Sequence, residues 1–235
     1  MKPLLAVLLV TTALPGAAFA QSSPSGPSAD RIETLRGRLT AFIDSLHAAG
    51  AEEVFTLGRG GNAPQDPIEK MDRIFDRTYR NPEADRISKA ARDWGKLIRW
   101  EFRDLGDPII TRIEIHKGTH EAVIYHKDSP LLTTEIAVGN PTIGKATPEG
   151  SYAVLYVDWR PISRWKRGNV PYGHEYNPYG SRQIPFYKDW TMHGNNDPNA
   201  LGKDISKGCV RFNNSEIMVI AELVRASATK VVVKP

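Results

Sequence analysis

Apolar residues recur at helical spacing in the first half of the chain and at strand spacing in the second. Ile32, Leu35, Leu39, Phe42 and Leu46 fall three or four residues apart, which predicts one amphipathic helix ending near Gly50. Two further helix starts are marked by their caps. Asp66-Pro67-Ile68-Glu69 sets an N-cap, a proline at the first helical position and a glutamate at the third in order. Asn81-Pro82 repeats the device before a segment carrying Ile87, Trp94, Leu97 and Ile98. Residues 31–107 are therefore expected to be a small helical N-terminal region. The Gly58-Arg59-Gly60-Gly61-Asn62 run reads as a loop, because its spacing fits neither the Walker nor the dinucleotide phosphate cradle.

From Thr111 the period falls to two. Ile113 and Ile115 alternate with polar residues, and Ala122 and Ile124 do the same after the turn at Lys117-Gly118-Thr119. Thr133–Val138 and Tyr152–Val157 read as further strands, the first ended by Gly139-Asn140-Pro141. Asp158–Trp190 looks irregular and holds eight of the twenty aromatic residues, as lids and binding surfaces often do. Asn213 and Glu216 resemble a capping pair for a helix over Ser215–Ala226, and Thr229–Val233 reads as a closing strand. The fold class is α+β: a helical region, then an antiparallel, strand-rich domain over residues 108–235.

The first twenty residues are of a different composition. Lys2, the apolar run Leu4–Leu14 and Ala18-Phe19-Ala20 have the layout of a secretory signal peptide, and the run is too short to span a bilayer. Residues 21–30, rich in Ser, Pro and Gly, are expected to be a flexible leader. The mature chain is thus expected to be exported across the inner membrane to the periplasm, with no transmembrane segment. Loss of Lys2 with the signal takes the net charge from +4 to +3, which suits an anionic wall polymer. No dense basic block or nucleic-acid motif accompanies it, so nucleic acid is not an expected partner.

One cysteine, Cys209, is present in a chain read as exported, so no internal disulfide can form. The densest chemistry surrounds it: Met192-His193-Gly194-Asn195-Asn196, then Ser206-Lys207-Gly208-Cys209-Val210-Arg211-Phe212-Asn213. A thiol of pKa about 8.5 needs a base or nearby positive charge to act as a nucleophile at neutral pH. His193 can supply the base. Gly208 permits a tight turn and close approach of a carbonyl to backbone N–H donors. Lys207 and Arg211 flank the thiol with positive charge that would favour thiolate and attract a carboxylate. Residue types alone also allow Cys209 as a small core residue and His193 as a structural hydrogen-bonder. His116, His120 and His126 match no zinc spacing, and His174 in the aromatic loop is expected at the surface. No metal or other cofactor is expected.

His193-Gly194 with Ser206-x-Gly208-Cys209-Val210-Arg211 resembles the signature of the L,D-transpeptidase catalytic domain, the YkuD family. Gly139-Asn140-Pro141, Thr147-Pro148-Glu149-Gly150 and Asn177-Pro178-Tyr179-Gly180 resemble that domain's other turns, so the likeness covers about residues 109–235. It implies a mostly β sandwich or barrel-like domain with a few helices. It implies Cys209 as nucleophile toward the L-centre carbonyl of diaminopimelate in a stem tetrapeptide, with loss of the terminal D-alanine, and His193 as base. Gly208, Arg211, Ser206, Lys207 and Gly194 are the expected substrate and oxyanion residues. Peptidoglycan stem peptides, and a wall-anchored lipoprotein as one amine acceptor, are the implied partners, and carbapenem acylation of Cys209 is implied as well. Lys207 departs from the family pattern, which often has histidine before the Gly-Cys pair, and leaves His193 as the motif's one base. Two other readings remain open: a hydrolase of the same fold, either an L,D-carboxypeptidase or a cross-link-trimming amidase, and a non-catalytic wall-binding protein.

Overall fold

The structure, a computed structural model, describes residues 28–56, 67–76, 78–197 and 199–235. The expected signal segment, most of the leader and the Gly58–Asn62 loop lie outside the described residues. Three helices precede the strands: α1 (Ala29–Ala48), α2 (Pro67–Ile74) and α3 (Pro82–Glu101). The first helix starts two residues inside the expected leader. It buries Ile32, Leu35, Leu39, Ile43 and Leu46 as one stripe, the geometry a 3.6-residue period dictates. Phe42, on the flank of that stripe, stacks on Trp94 of α3 at 4.5 Å between ring centroids. The cap read at Asn81 forms, its side chain accepting from the Ala84 amide at 3.1 Å. Leu97, expected in the apolar face of α3, is instead exposed.

Beyond the helical region come β1 (Arg112–His116), β2 (Glu121–His126), β3 (Ser129–Glu135), β4 (Val138–Gly139) and β5 (Gly150–Ala153). They are followed by β6 (Ser163–Trp165), β7 (Gly168–Val170), β8 (Gln183–Tyr187), β9 (Trp190–His193), β10 (Asp204–Ser206) and β11 (Val210–Arg211). Helix α4 (Asn214–Leu223) and β12 (Lys230–Lys234) close the chain. The main sheet has the order β3-β2-β1-β12-β5. The closing strand is therefore interior, with Val231 and Val233 buried. A three-stranded sheet, β11-β9-β8, carries the chemistry-bearing residues.

Three parallel pairs depart from the expected antiparallel pattern. β12 runs parallel to β1, β10 to β4 and β11 to β9. Each of these pairs joins strands far apart in sequence, where local alternation carries no information about direction. The stretch expected to be irregular, 158–190, holds the β6–β7 hairpin and β8. His174 lies there but is buried rather than at the surface. Its ring packs on Tyr79 at 4.6 Å and its Nε2 meets the Arg73 carbonyl at 3.2 Å.

Helix α4 is buried at every position except Glu216. It packs against α1, α3 and β9. At Gly95 of α3 an added Cβ would lie 2.6 Å from Glu222 Cβ, so glycine permits the close approach of α3 and α4. The two regions thus share one apolar core. Among the described residues no helix is long and apolar enough to cross a membrane.

Candidate active site

The Cys209 turn is built around glycine. Gly208 adopts φ +112°, in the region L side chains avoid, and a Cβ there would fall on the indole nitrogen of Trp190. Ser206 locks the turn: its hydroxyl donates to the Cys209 carbonyl at 2.6 Å and accepts from the Gly208 amide at 3.0 Å. Ser206 is therefore a turn former, and the Gly208 amide is already engaged. A second turn backs this one. Thr147 Oγ1 accepts from the Gly139 amide at 2.9 Å, and a Cβ at Gly139 would sit 2.7 Å from the Gly208 Cα.

Cys209 enters β11, which runs parallel to β9 with Val210 level with Met192 and Arg211 level with His193. Extending that register by one residue sets Cys209 beside Thr191. Alternation along the strands then puts Thr191, His193, Cys209 and Arg211 on one face. The sulfur is half-buried, and its thiol reaches the Asp189 carbonyl at 4.0 Å. His193 is buried at the end of β9, with its Nδ1 2.6 Å from the Gly194 carbonyl. A carbonyl can only accept, so Nδ1 carries the hydrogen and Nε2 is left with its lone pair. The Tyr179 ring stands edge-on to the imidazole at 5.2 Å.

The electrostatics make both partners neutral. Burial pushes His193 down to about 3, and the Arg211 charge pushes the same way, outweighing the carbonyls of Gly194 and Pro178. Burial also raises the Cys209 thiol, against the opposing pull of the Thr191 backbone and Arg211. The thiolate-favouring effect expected of Arg211 is thus present but smaller than desolvation. Lys207 is exposed and is not among the groups that shift the thiol. Arg211 itself is part-buried, and its Nε has no hydrogen-bond partner among the described residues.

The Asn177-Pro178-Tyr179-Gly180 turn places Tyr179. Asn177 is buried and its Nδ2 donates to the Pro161 and Pro171 carbonyls at 2.8 and 3.1 Å, tying down both ends of the β6–β7 hairpin. Its Oδ1 accepts from the Tyr179 amide at 3.1 Å. Tyr179 was not among the expected site residues, although its place inside this turn marks it. Asp189 and Thr191 were also missed, and nothing local marks them. The histidines of the β1–β2 hairpin do not gather. His116 lies 3.5 Å from Glu114, His120 2.9 Å from Asp204, and His126 is buried against the Ile109 carbonyl.

The family model described as the L,D-transpeptidase catalytic domain, YkuD, matches residues 110–233. The chain belongs to this family. Among curated relatives, the YkuD protein of Bacillus licheniformis is 28% identical over 130 residues, which is 55% of this chain and 68% of that one. The YqjB protein of Bacillus subtilis is 30% identical over 119 residues, 48% of this chain and 64% of that one. The chain thus spans about two thirds of the length of these relatives. Among solved structures, an L,D-transpeptidase from Mycobacterium tuberculosis aligns over 55% of this chain and 58% of its own, at 16% identity and a TM-score of 0.44. The catalytic domain of the Enterococcus faecium L,D-transpeptidase aligns over 55% of this chain and all of its own, at 21% identity and a TM-score of 0.41. Membership of the YkuD family rests on the family match, which leaves the helical region outside it.

Proposed function

We propose that this protein is an exported peptidoglycan L,D-transpeptidase with Cys209 as nucleophile and His193 as base. The observation that carries the reading is the parallel register of β9 and β11, which supports a nucleophile and a base on one face of one small sheet. With imidazole and thiol both neutral, His193 Nε2 takes the thiol proton as sulfur attacks the L-centre carbonyl of diaminopimelate in a stem tetrapeptide. The carbonyl oxygen becomes an oxyanion. Gly208 donates its amide to Ser206, so the donor left beside the sulfur is the Cys209 amide. Arg211 adds positive charge on the same face. The intermediate collapses to a thioester, and the imidazolium returns its proton to the departing D-alanine amine.

An acceptor amine then attacks the thioester and gives a proton to His193, and the leaving sulfur takes it back. A second diaminopimelate amine makes a 3–3 cross-link, a lipoprotein lysine anchors that protein to the wall, and water gives hydrolysis. Purified protein mixed with tetrapeptide muropeptide is expected to release D-alanine, and Cys209→Ala to stop the release. Continued turnover by that variant would sink the mechanism. Mass spectra of the products separate cross-linked dimers from trimmed monomers and so identify the acceptor.

A further inference from the structure

One side chain of the helical region, outside the family match, reaches the frame of the site. Glu52 follows α1, and its carboxylate lies at the N-terminus of α4, 162 residues further along the chain. One carboxylate oxygen accepts from the Asn214 amide at 2.7 Å and from Asn214 Nδ2 at 3.2 Å. The other accepts from the Ser215 amide at 2.8 Å. His47, also on the helical side, holds the Ser215 hydroxyl at 2.9 Å.

Asn214 carries these contacts inward. Its Oδ1 accepts from the Ser181 and Asn195 amides at 2.9 and 3.2 Å, and its Nδ2 also donates to the Asn195 carbonyl at 2.7 Å. Ser181 Oγ donates to the Asn214 carbonyl at 3.0 Å. The carboxylate can only accept, so it favours the same Asn214 amide orientation as the Asn195 carbonyl and the Ser181 and Asn195 amides. A flipped amide would set its NH2 group against two N–H donors. Gly180 and Gly194 close around this side chain, and a Cβ at either would fall on Oδ1. Between His193 and Asn195 lies Gly194, whose carbonyl holds the imidazole by Nδ1.

We propose that Glu52 is a positioning residue for His193, acting through Asn214 and the Gly194-Asn195 backbone. The inference rests on His193 being the base. Without the carboxylate, Asn214 Nδ2 keeps only the Asn195 carbonyl, and the Asn214 and Ser215 backbone amides lose their acceptor, so the start of α4 and the Gly194-Asn195 backbone bonded to it are held less tightly. The direction of Nε2 is then no longer set, and small misplacements of a catalytic group are costly.

The test uses the full chain in four forms: wild type, Glu52→Ala, Glu52→Gln and Leu39→Ala. Leu39→Ala weakens the same helical region without touching the network. At a temperature where circular dichroism shows all four folded, Glu52→Ala is expected to lower kcat for D-alanine release about 10- to 100-fold with KM little changed. Glu52→Gln, which keeps one carbonyl acceptor, should fall between it and the wild type, and Leu39→Ala should keep the wild-type kcat. A folded Glu52→Ala with wild-type kcat would overturn the proposal, as would an equal loss in Leu39→Ala. Failure of both Glu52 variants to fold would overturn it too, by assigning Glu52 to general stability. If the wild type releases no D-alanine, the transpeptidase reading fails instead. The positioning claim is then read from the His193 Nδ1–H proton resonance, expected in the wild type and lost in Glu52→Ala. Its persistence in that variant would refute the claim.

Discussion

Helices α1 and α4 are both apolar in pattern, yet they are buried in different ways. α1 hides one stripe and leaves its other face to solvent, whereas α4 is enclosed at every position except Glu216. An enclosed helix needs cover on each side, and the β domain provides only part of it. The helical region supplies the rest, so it completes the core rather than hanging from it. Enclosure also buries the N-terminus of α4, whose first amides have no partners within the helix. Glu52 supplies acceptors there from the opposite region. What looks like an appendage in sequence is a wall of the catalytic domain in space.

The sharpest test of this difference is truncation on each helix. Ile217→Ala, in enclosed α4, is expected to cost about 4 kcal/mol of unfolding free energy, and Leu39→Ala, in striped α1, nearer 3 kcal/mol. Both belong to one cooperative transition if the regions share a core, and separate denaturation transitions would break the comparison. Acid gives the next effect. His193 stays neutral in the folded protein down to about pH 3, while the unfolded chain binds that proton near pH 6.5. Its contribution is whole above the unfolded value and is lost as pH falls towards 3. Between pH 7 and pH 4 this costs about 3 kcal/mol, and His193→Gln should remove that part of the acid sensitivity. For the same reason kcat/KM should show no break near pH 6.5, where an exposed histidine would give one. At the seam, Gly95→Ala forces a methyl against Glu222 and is expected to cost about 2 kcal/mol. A neutral result in urea unfolding would mean that α3 and α4 can separate cheaply.

Much of this was legible in the sequence, for local reasons. The stripe of α1, the Asn81 cap and the alternation of Ile113, Ile115, Ala122 and Ile124 all follow from periods of 3.6 and 2. The Gly208 turn was legible because its signal lies within a few residues, whereas Cys209 and His193, well apart in the chain, stood out only through the resemblance to the YkuD signature. Other features depend on residues distant in sequence and leave no local trace. The Asn213–Glu216 pair read as a cap is one case. Asn213 makes no side-chain bond to the helix amides, Glu216 turns to the Thr134 hydroxyl, and Glu52 takes the capping role. The parallel pairing of β12 with β1 is another, since strand direction is set by where the chain returns. The neutral state of the Cys209–His193 pair is a third: flanking charges are visible in sequence, but the desolvation that outweighs them is not.

The measurement that bears most directly on the central claim is intact mass after brief exposure of the full chain to stem tetrapeptide. The wild type is expected to gain the mass of the tetrapeptide less D-alanine, and Cys209→Ala to gain none. An adduct that persists in Cys209→Ala, or D-alanine release with no thioester trapped at any time, would contradict that claim.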